Sequence, residues 1–182
     1  MRRSALFLAL VAVATMVAVY AAYPATTSSM GAAFSRPWAT RAFYSTPHGQ
    51  IHYVYGGDFK ATPTLVLFHS HPRSAAEFAY LLDELHPTHS FVAFDYFGLG
   101  ASDDCTSCNA TLNEYVSIPA FGEYAREVLS LLEVGKYASV GSLKGASIAT
   151  YLGAKDPNVD AVVLANPAWW LPDVVAKIRS YM

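Results

Sequence analysis

A glycine-flanked segment at residues 141–145 has the outline of a catalytic turn. It reads Gly141-Ser142-Leu143-Lys144-Gly145 and continues a short run that is typical of a strand. In the pattern G-x-S-x-G, a nucleophile occupies the middle of a sharp strand-to-helix turn, and glycines two residues to either side leave room for the backbone. Here the middle position holds Leu143, which has no nucleophilic atom.

The glycine spacing assigns the nucleophile position to residue 143. A nucleophile at Ser142 would have Val140 and Lys144 as its flanking residues, and their side chains would crowd the turn. Ser142 is therefore only a weak candidate. Such a turn costs on the order of 1–3 kcal/mol in backbone strain. Because leucine gains no catalysis in return, we expect the turn to have relaxed.

Two other segments place polar residues directly after apolar runs. His69-Ser70-His71-Pro72 follows TLVLF, and DYFGLGASD at residues 95–103 follows FVAF. In parallel α/β sheets, ligands bind at the carboxyl ends of the strands. We therefore expect both segments to lie beside the turn at 141–145.

The rest of the chain predicts alternating strands and helices. Strands are expected at 51–55, 64–69, 91–95, 138–141 and 161–165. A capping box at 74–77 predicts a helix that ends at Pro87, and further helices are expected at 117–134, capped by Gly135, and at 145–154. The alternation predicts an α/β fold with a mostly parallel, doubly wound sheet and helices on both faces.

In this order and spacing, the three motifs resemble the α/β-hydrolase superfamily, in its epoxide-hydrolase, haloalkane-dehalogenase and haloperoxidase-like branch. That branch carries H-G-x-P, D-x-x-G-x-G-x-S and G-x-nucleophile-x-G-G after successive strands. Residues 69–72, 95–102 and 141–146 correspond to these motifs. The resemblance covers residues 43–167, which implies the N-terminal two-thirds of the fold.

The resemblance also implies an oxyanion hole built from backbone N–H groups. Its donors would be the N–H of Lys144 and that of His71, although His71 is alternatively an ordinary exposed histidine. Ser70 stands where the branch has glycine, which puts the geometry of the hole in question.

The catalytic triad that the resemblance implies has its acid and its histidine after the nucleophile. All six histidines, at 48, 52, 69, 71, 86 and 89, precede residue 90. Asp173, near the end, is more typical of a helix start than of a catalytic acid. The sequence given therefore contains no intact nucleophile–histidine–acid triad.

Three interpretations of function stay open. The first is a relative of hydrolases of esters, epoxides or similar small molecules that is inactive or incomplete as this chain. The second is an active hydrolase completed by further residues or by a partner. The third is a non-catalytic module that binds a small apolar molecule or a protein in the old pocket, lined by Tyr96, Phe97, Trp169 and Trp170. Core and lid packing is the alternative for these four aromatic side chains.

The N-terminal residues predict export. Met1-Arg2-Arg3-Ser4 precedes an uncharged apolar run at 5–22, so 1–22 is interpreted as a signal peptide or signal anchor. Residues 23–41 are interpreted as a linker, and 42–182 as the partial hydrolase domain. We expect a secreted or membrane-anchored protein whose domain lies outside the cytosol and that meets the membrane only through the N-terminal segment.

The two cysteines fit an oxidising compartment. Cys105 and Cys108 predict a small loop disulfide, and Asn109 begins an N-glycosylation sequon. We expect no metal site at this pair, because it lacks a second pair or a neighbouring histidine, and no cofactor.

The net charge of the chain and the strand predicted at 161–165 indicate which binding partners to expect. A net charge of −2 and a pI near 6.3 argue against nucleic acid. The apolar strand at 161–165 would form a sheet edge, through which the chain could associate with itself.

Overall fold

The computed structural model describes residues 36–105 and 117–166. The fold is built around a mixed six-stranded sheet. The strands run from Thr40–Thr46 (β1), Gly49–Gly56 (β2), Thr64–Phe68 (β3), Ser90–Phe94 (β4), Tyr137–Ser142 (β5) and Val159–Ala165 (β6). Their order is β1-β2-β4-β3-β5-β6. β4, β3, β5 and β6 are parallel, while β1 and β2 form a hairpin that joins β4 in antiparallel register.

Helices cover both faces of this sheet. A 3₁₀ turn at Ala75–Phe78 leads into α1 (Ala79–Leu85), followed by α2 (Ile118–Leu131) and α3 (Lys144–Lys155). Phe78 and Leu82 pack on one face, and side chains of α2 and α3 such as Phe121 and Ile148 pack on the other. Because β3 and β4 are buried on both faces, each is an unbroken apolar run after its first residue. The α/β prediction, with a mostly parallel sheet and helices on both faces, is confirmed.

The folded domain includes residues that the sequence assigned to a linker at 23–41. Arg36 donates two hydrogen bonds to the Asp83 carboxylate, at 2.7 and 2.6 Å. Trp38 stacks on the His86 ring and packs edge-on against Phe91, which lies near the start of β4. β1 then begins at Thr40. It was missed because its residues are largely exposed and give no apolar run.

The predicted capping box at 74–77 forms only in part. The Ser74 hydroxyl accepts a hydrogen bond from the Ala76 N–H at 3.3 Å, as an N-cap should. Glu77 does not complete the box, because its carboxylate accepts instead from Ser70.

The end of α2 differs from the predicted helix at 117–134 with a Gly135 cap. The helix ends at Leu131, and Glu133 adopts the left-handed conformation with φ 53°. The Glu133 N–H donates to Ser130 O at 3.1 Å, and the Val134 N–H donates to Leu129 O at 2.9 Å. This hydrogen-bond pair is the Schellman motif, with glutamate in the position that usually holds glycine.

The strained position of Glu133 yields a stability prediction. We expect Glu133→Gly to have a free energy of unfolding about 1 kcal/mol higher than Glu133→Ala, because only glycine relieves the positive φ. Both variants lose the exposed ion pair with Lys60 equally. Denaturant titration of the two purified chains measures the difference, and equal stabilities would contradict the prediction.

The predicted signal segment at 1–22 lies outside the described residues. Within 36–105 and 117–166, no helix is both long enough and apolar enough to cross a membrane.

Candidate functional site

Leu143 forms a tight turn between β5 and α3. Its backbone has φ 48° and ψ −109°, a conformation that is unfavourable for leucine. The Leu143 N–H donates to Ala165 O at 3.1 Å, and Leu143 O accepts from the Ala146 N–H at 3.0 Å. The expectation of a relaxed turn is therefore wrong: the elbow keeps a strained backbone without a nucleophile.

Close backbone packing explains why the elbow keeps its shape. A Cβ atom added at Gly141 would collide with Gly145 O, and one added at Gly145 would collide with Phe68 O. The first turn of α3 thus lies against the end of β3. These close contacts on either side hold residue 143 in its strained conformation.

We expect Gly145→Ala to lower the free energy of unfolding by about 3 kcal/mol or more, because the new methyl group meets backbone that cannot rotate away. Gly135→Ala is the matched control, since a Cβ there has nothing within 4 Å, and its effect should stay within about 1 kcal/mol. Denaturant titration measures both. Similar losses in the two variants would show that the close approach does not hold the elbow.

The structure brings the three predicted motifs to one edge of the sheet. The Tyr96 hydroxyl donates to His69 O at 2.7 Å, and the Tyr96 N–H donates to His69 Nε2 at 3.3 Å. The Tyr96 ring also stacks on the His69 ring, with centroids 4.0 Å apart. Gly145 packs against the same end of β3. The expected meeting of the strand ends is confirmed.

Glu77, which is partly buried, joins the segment at residues 69–72 to the elbow. Its carboxylate accepts from the Ser70 N–H at 2.8 Å and from the Ser70 hydroxyl at 2.7 Å. Burial raises the pKa of Glu77, and hydrogen bonds from Ser70 and from the Ser142 hydroxyl oppose that rise. Ser142, the weak nucleophile candidate, is buried in this network.

The role of Glu77 could not be read from the sequence, where it appeared only as the end of a capping box. Ser70 in place of glycine was the available signal. Its hydroxyl adds a second hydrogen bond to the carboxylate beside that of the backbone N–H.

Asp95 is the most heavily bonded carboxylate at this edge. Its oxygens accept from His52 Nδ1 at 2.7 Å, from the Ala75 N–H at 2.6 Å and from the Ala101 N–H at 2.9 Å. Burial favours the neutral acid, but these hydrogen bonds hold the pKa of Asp95 below its usual range. Sequence reasoning missed His52. Its Nε2 accepts from Arg41 Nε at 3.1 Å, so both ring nitrogens are engaged in bracing the loop.

His69 is fully buried and is hydrogen-bonded through both ring nitrogens. Its Nδ1 bonds to Ser70 O at 2.7 Å while Nε2 accepts from Tyr96, which fits the neutral ring with its proton on Nδ1. Burial lowers the pKa of His69 to about 4. His71, by contrast, is exposed in the turn after β3. Its backbone N–H and that of Lys144 remain predicted oxyanion-hole donors.

The buried neutral His69 predicts a pH dependence of stability. Unfolded histidine takes up a proton near pH 6.5 and folded His69 only near 4. Between these values the unfolded chain binds more protons, so the free energy of unfolding rises with pH, by on the order of 3 kcal/mol. Urea titrations across this range measure the slope.

Two variants isolate the contribution of His69. His69→Asn should flatten the rise, while His89→Gln, at a histidine that is only partly buried, should keep it. The raised pKa of Glu77 works in the opposite direction, because its stabilisation is lost as pH rises through its folded pKa. Both variants retain Glu77, so it cancels from the comparison. An unchanged slope in His69→Asn would contradict the prediction.

The aromatic residues proposed to line a pocket fall into two groups. Tyr96 and Phe97 are only 3% and 7% exposed and pack in the core, Tyr96 edge-on against Phe121. Core packing is therefore the role of these two. Trp169 and Trp170 lie outside the described residues.

Several predicted features also lie outside the described residues, namely Cys108 of the predicted disulfide, Asn109 of the sequon and Asp173. Among the residues described, no group of three or more histidine, cysteine or acidic side chains is arranged to hold a metal ion.

Comparison with known proteins defines the class. The sequence model of the alpha/beta hydrolase fold matches residues 63–179. The chain belongs to this family.

Individual proteins similar to this chain are also α/β hydrolases by name or by fold. Haloalkane dehalogenase 2 of Mycobacterium bovis and of Mycobacterium tuberculosis is 28% identical over 141 residues, which are 77% of this chain and 46% of the relative. The chain thus spans less than half the length of these relatives. An epoxide hydrolase from an endophytic Streptomyces is similar at 27% identity and a TM-score of 0.59, covering 71% of this chain and 37% of the other. A hydrolase from Pseudomonas aeruginosa PA01 has 24% identity and a TM-score of 0.62, over 76% and 51% of the two chains, and supports the fold.

Proposed function

We propose that this protein is an exported member of the α/β-hydrolase family that descends from hydrolases of esters, epoxides or haloalkanes and no longer performs their nucleophilic step at residue 143. Its elbow instead presents a hydrocarbon side chain to a small apolar molecule. The named activities of the haloalkane dehalogenase and epoxide hydrolase relatives support the substrate class.

The observation that carries the proposal is the backbone of Leu143. With φ 48° and ψ −109°, the elbow keeps the conformation that exposes a nucleophile, but leucine cannot attack a carbon centre. The neighbouring hydroxyl does not replace it, because Ser142 is buried and bonded to Glu77. The buried His69 is occupied on both ring nitrogens, so it is not placed as a base.

The first test compares the wild-type chain with Leu143→Gly on aryl esters, epoxides and haloalkanes. We expect neither chain to turn over any of the three, because neither side chain at position 143 has a nucleophilic atom. Product release measured by chromatography gives the answer. Turnover by the wild type that disappears in Leu143→Gly would overturn the proposal.

The second test returns a nucleophile to the elbow. In Leu143→Asp, we expect a carboxylate oxygen to displace halide from a 1-haloalkane, so that a carbon–oxygen bond forms and the carbon–halogen bond breaks. With no histidine after residue 143 in the sequence, the alkyl ester should persist and appear as one alkyl group by mass spectrometry. Aspartate and asparagine tolerate positive φ better than leucine, so both variants suit the turn.

Leu143→Asn is the matched control and should gain no alkyl group. Absence of the adduct from a folded Leu143→Asp chain, with its circular dichroism unchanged, would show that residue 143 does not face a binding site.

A further inference from the structure

Lys144 is a polar group at this edge that the proposed function does not use. It is the first residue of α3 and follows Leu143 directly. Its side chain is half-buried, and Nζ lies 5.4 Å from the centroid of the Tyr96 ring. Within the described ranges, Lys60 and Lys136 form ion pairs with Glu133 and Asp160, whereas no carboxylate pairs with Lys144.

The surroundings of Lys144 favour the neutral amine. Burial lowers the pKa of Lys144, and the positive end of the α3 dipole at the same residue also disfavours an ammonium. The face of the Tyr96 ring acts in the other direction, by about 1 kcal/mol at a partly exposed site. Lys60 shows the contrast, since its hydrogen bond to Glu133 raises its pKa.

We propose that Lys144 is a nucleophilic amine that condenses with the carbonyl group of a small apolar aldehyde or ketone. The Nζ lone pair forms a bond to the carbonyl carbon, and the carbonyl oxygen takes up a proton to give a carbinolamine. Loss of that oxygen as water leaves an imine, so one carbonyl compound and one amine give one imine and one water. The partly exposed Leu143 side chain, next along the chain, favours an apolar substituent on the carbonyl.

This inference goes beyond the proposed function and does not depend on it. Condensation at Lys144 requires no nucleophile at residue 143, and it is measured on the wild-type chain. If Leu143→Asp is not alkylated, the inference about Lys144 is therefore unaffected. If Lys144 does not condense with a carbonyl compound, the proposed role of Leu143 is likewise unaffected.

The test uses benzaldehyde as the probe. The full chain is incubated with it near neutral pH, the imine is reduced with cyanoborohydride, and the benzylated lysines are quantified by peptide mass spectrometry. We expect Lys144 to be benzylated severalfold faster than Lys60, because a lower pKa leaves a larger fraction of the amine neutral at a given pH. Labelling of Lys144 should also reach half its maximum at a lower pH than labelling of Lys60 does.

Two controls link the selectivity to the folded site. In concentrated urea, Lys144 and Lys60 should be benzylated at equal rates, because the burial that distinguishes them is gone. Lys144→Arg keeps the positive charge but loses the amine. The total benzylation of this variant should therefore fall to the amount that the remaining lysines account for. If Lys144 in the native chain is benzylated no faster than Lys60, the proposal is overturned.

Discussion

The close approach of α3 to the end of β3 is the contact on which the rest of the site depends. At Gly145 the helix backbone lies so near Phe68 O that no side chain larger than hydrogen fits between them. This contact fixes where α3 begins and, through Gly141, how sharply the chain turns at Leu143. It also explains how a costly conformation survives the loss of catalysis. The strain at residue 143 is maintained by packing on either side of it, and no function at 143 is required.

Two carboxylates at the same edge, the buried Asp95 and the partly buried Glu77, hold the loops together. Asp95 joins β2, the turn before α1 and its own loop through hydrogen bonds from His52, Ala75 and Ala101. Glu77 does the same for the turn after β3 and the elbow, through Ser70 and Ser142. Buried carboxylates are costly unless each oxygen has donors, and here the donors come from separate segments. The polar groups at this edge therefore hold the strand ends together.

The sequence was sufficient for the parts of the fold that follow from periodicity. Apolar runs predicted β3 and β4 because both are buried on two faces, and the glycine spacing placed the elbow at residue 143. β1 was missed because an exposed strand gives no such run. The helix end at Glu133 was missed because a glutamate, and not the nearby Gly135, takes the positive φ, which local propensity does not foresee. At the site, Ser142 is distant in sequence from Glu77, as Asp95 is from His52, so these two contacts had no local signature.

The N-terminal end of the described chain lies far from the elbow. Arg36 and Trp38 are bound to the far end of α1 and to Phe91, where the parallel strands begin. The elbow lies where those strands end. Arg36 therefore lies at the edge of the sheet opposite the elbow. Leu143 and Lys144 therefore lie on the side of the domain away from Arg36, so a group attached at Arg36 would leave the elbow uncovered.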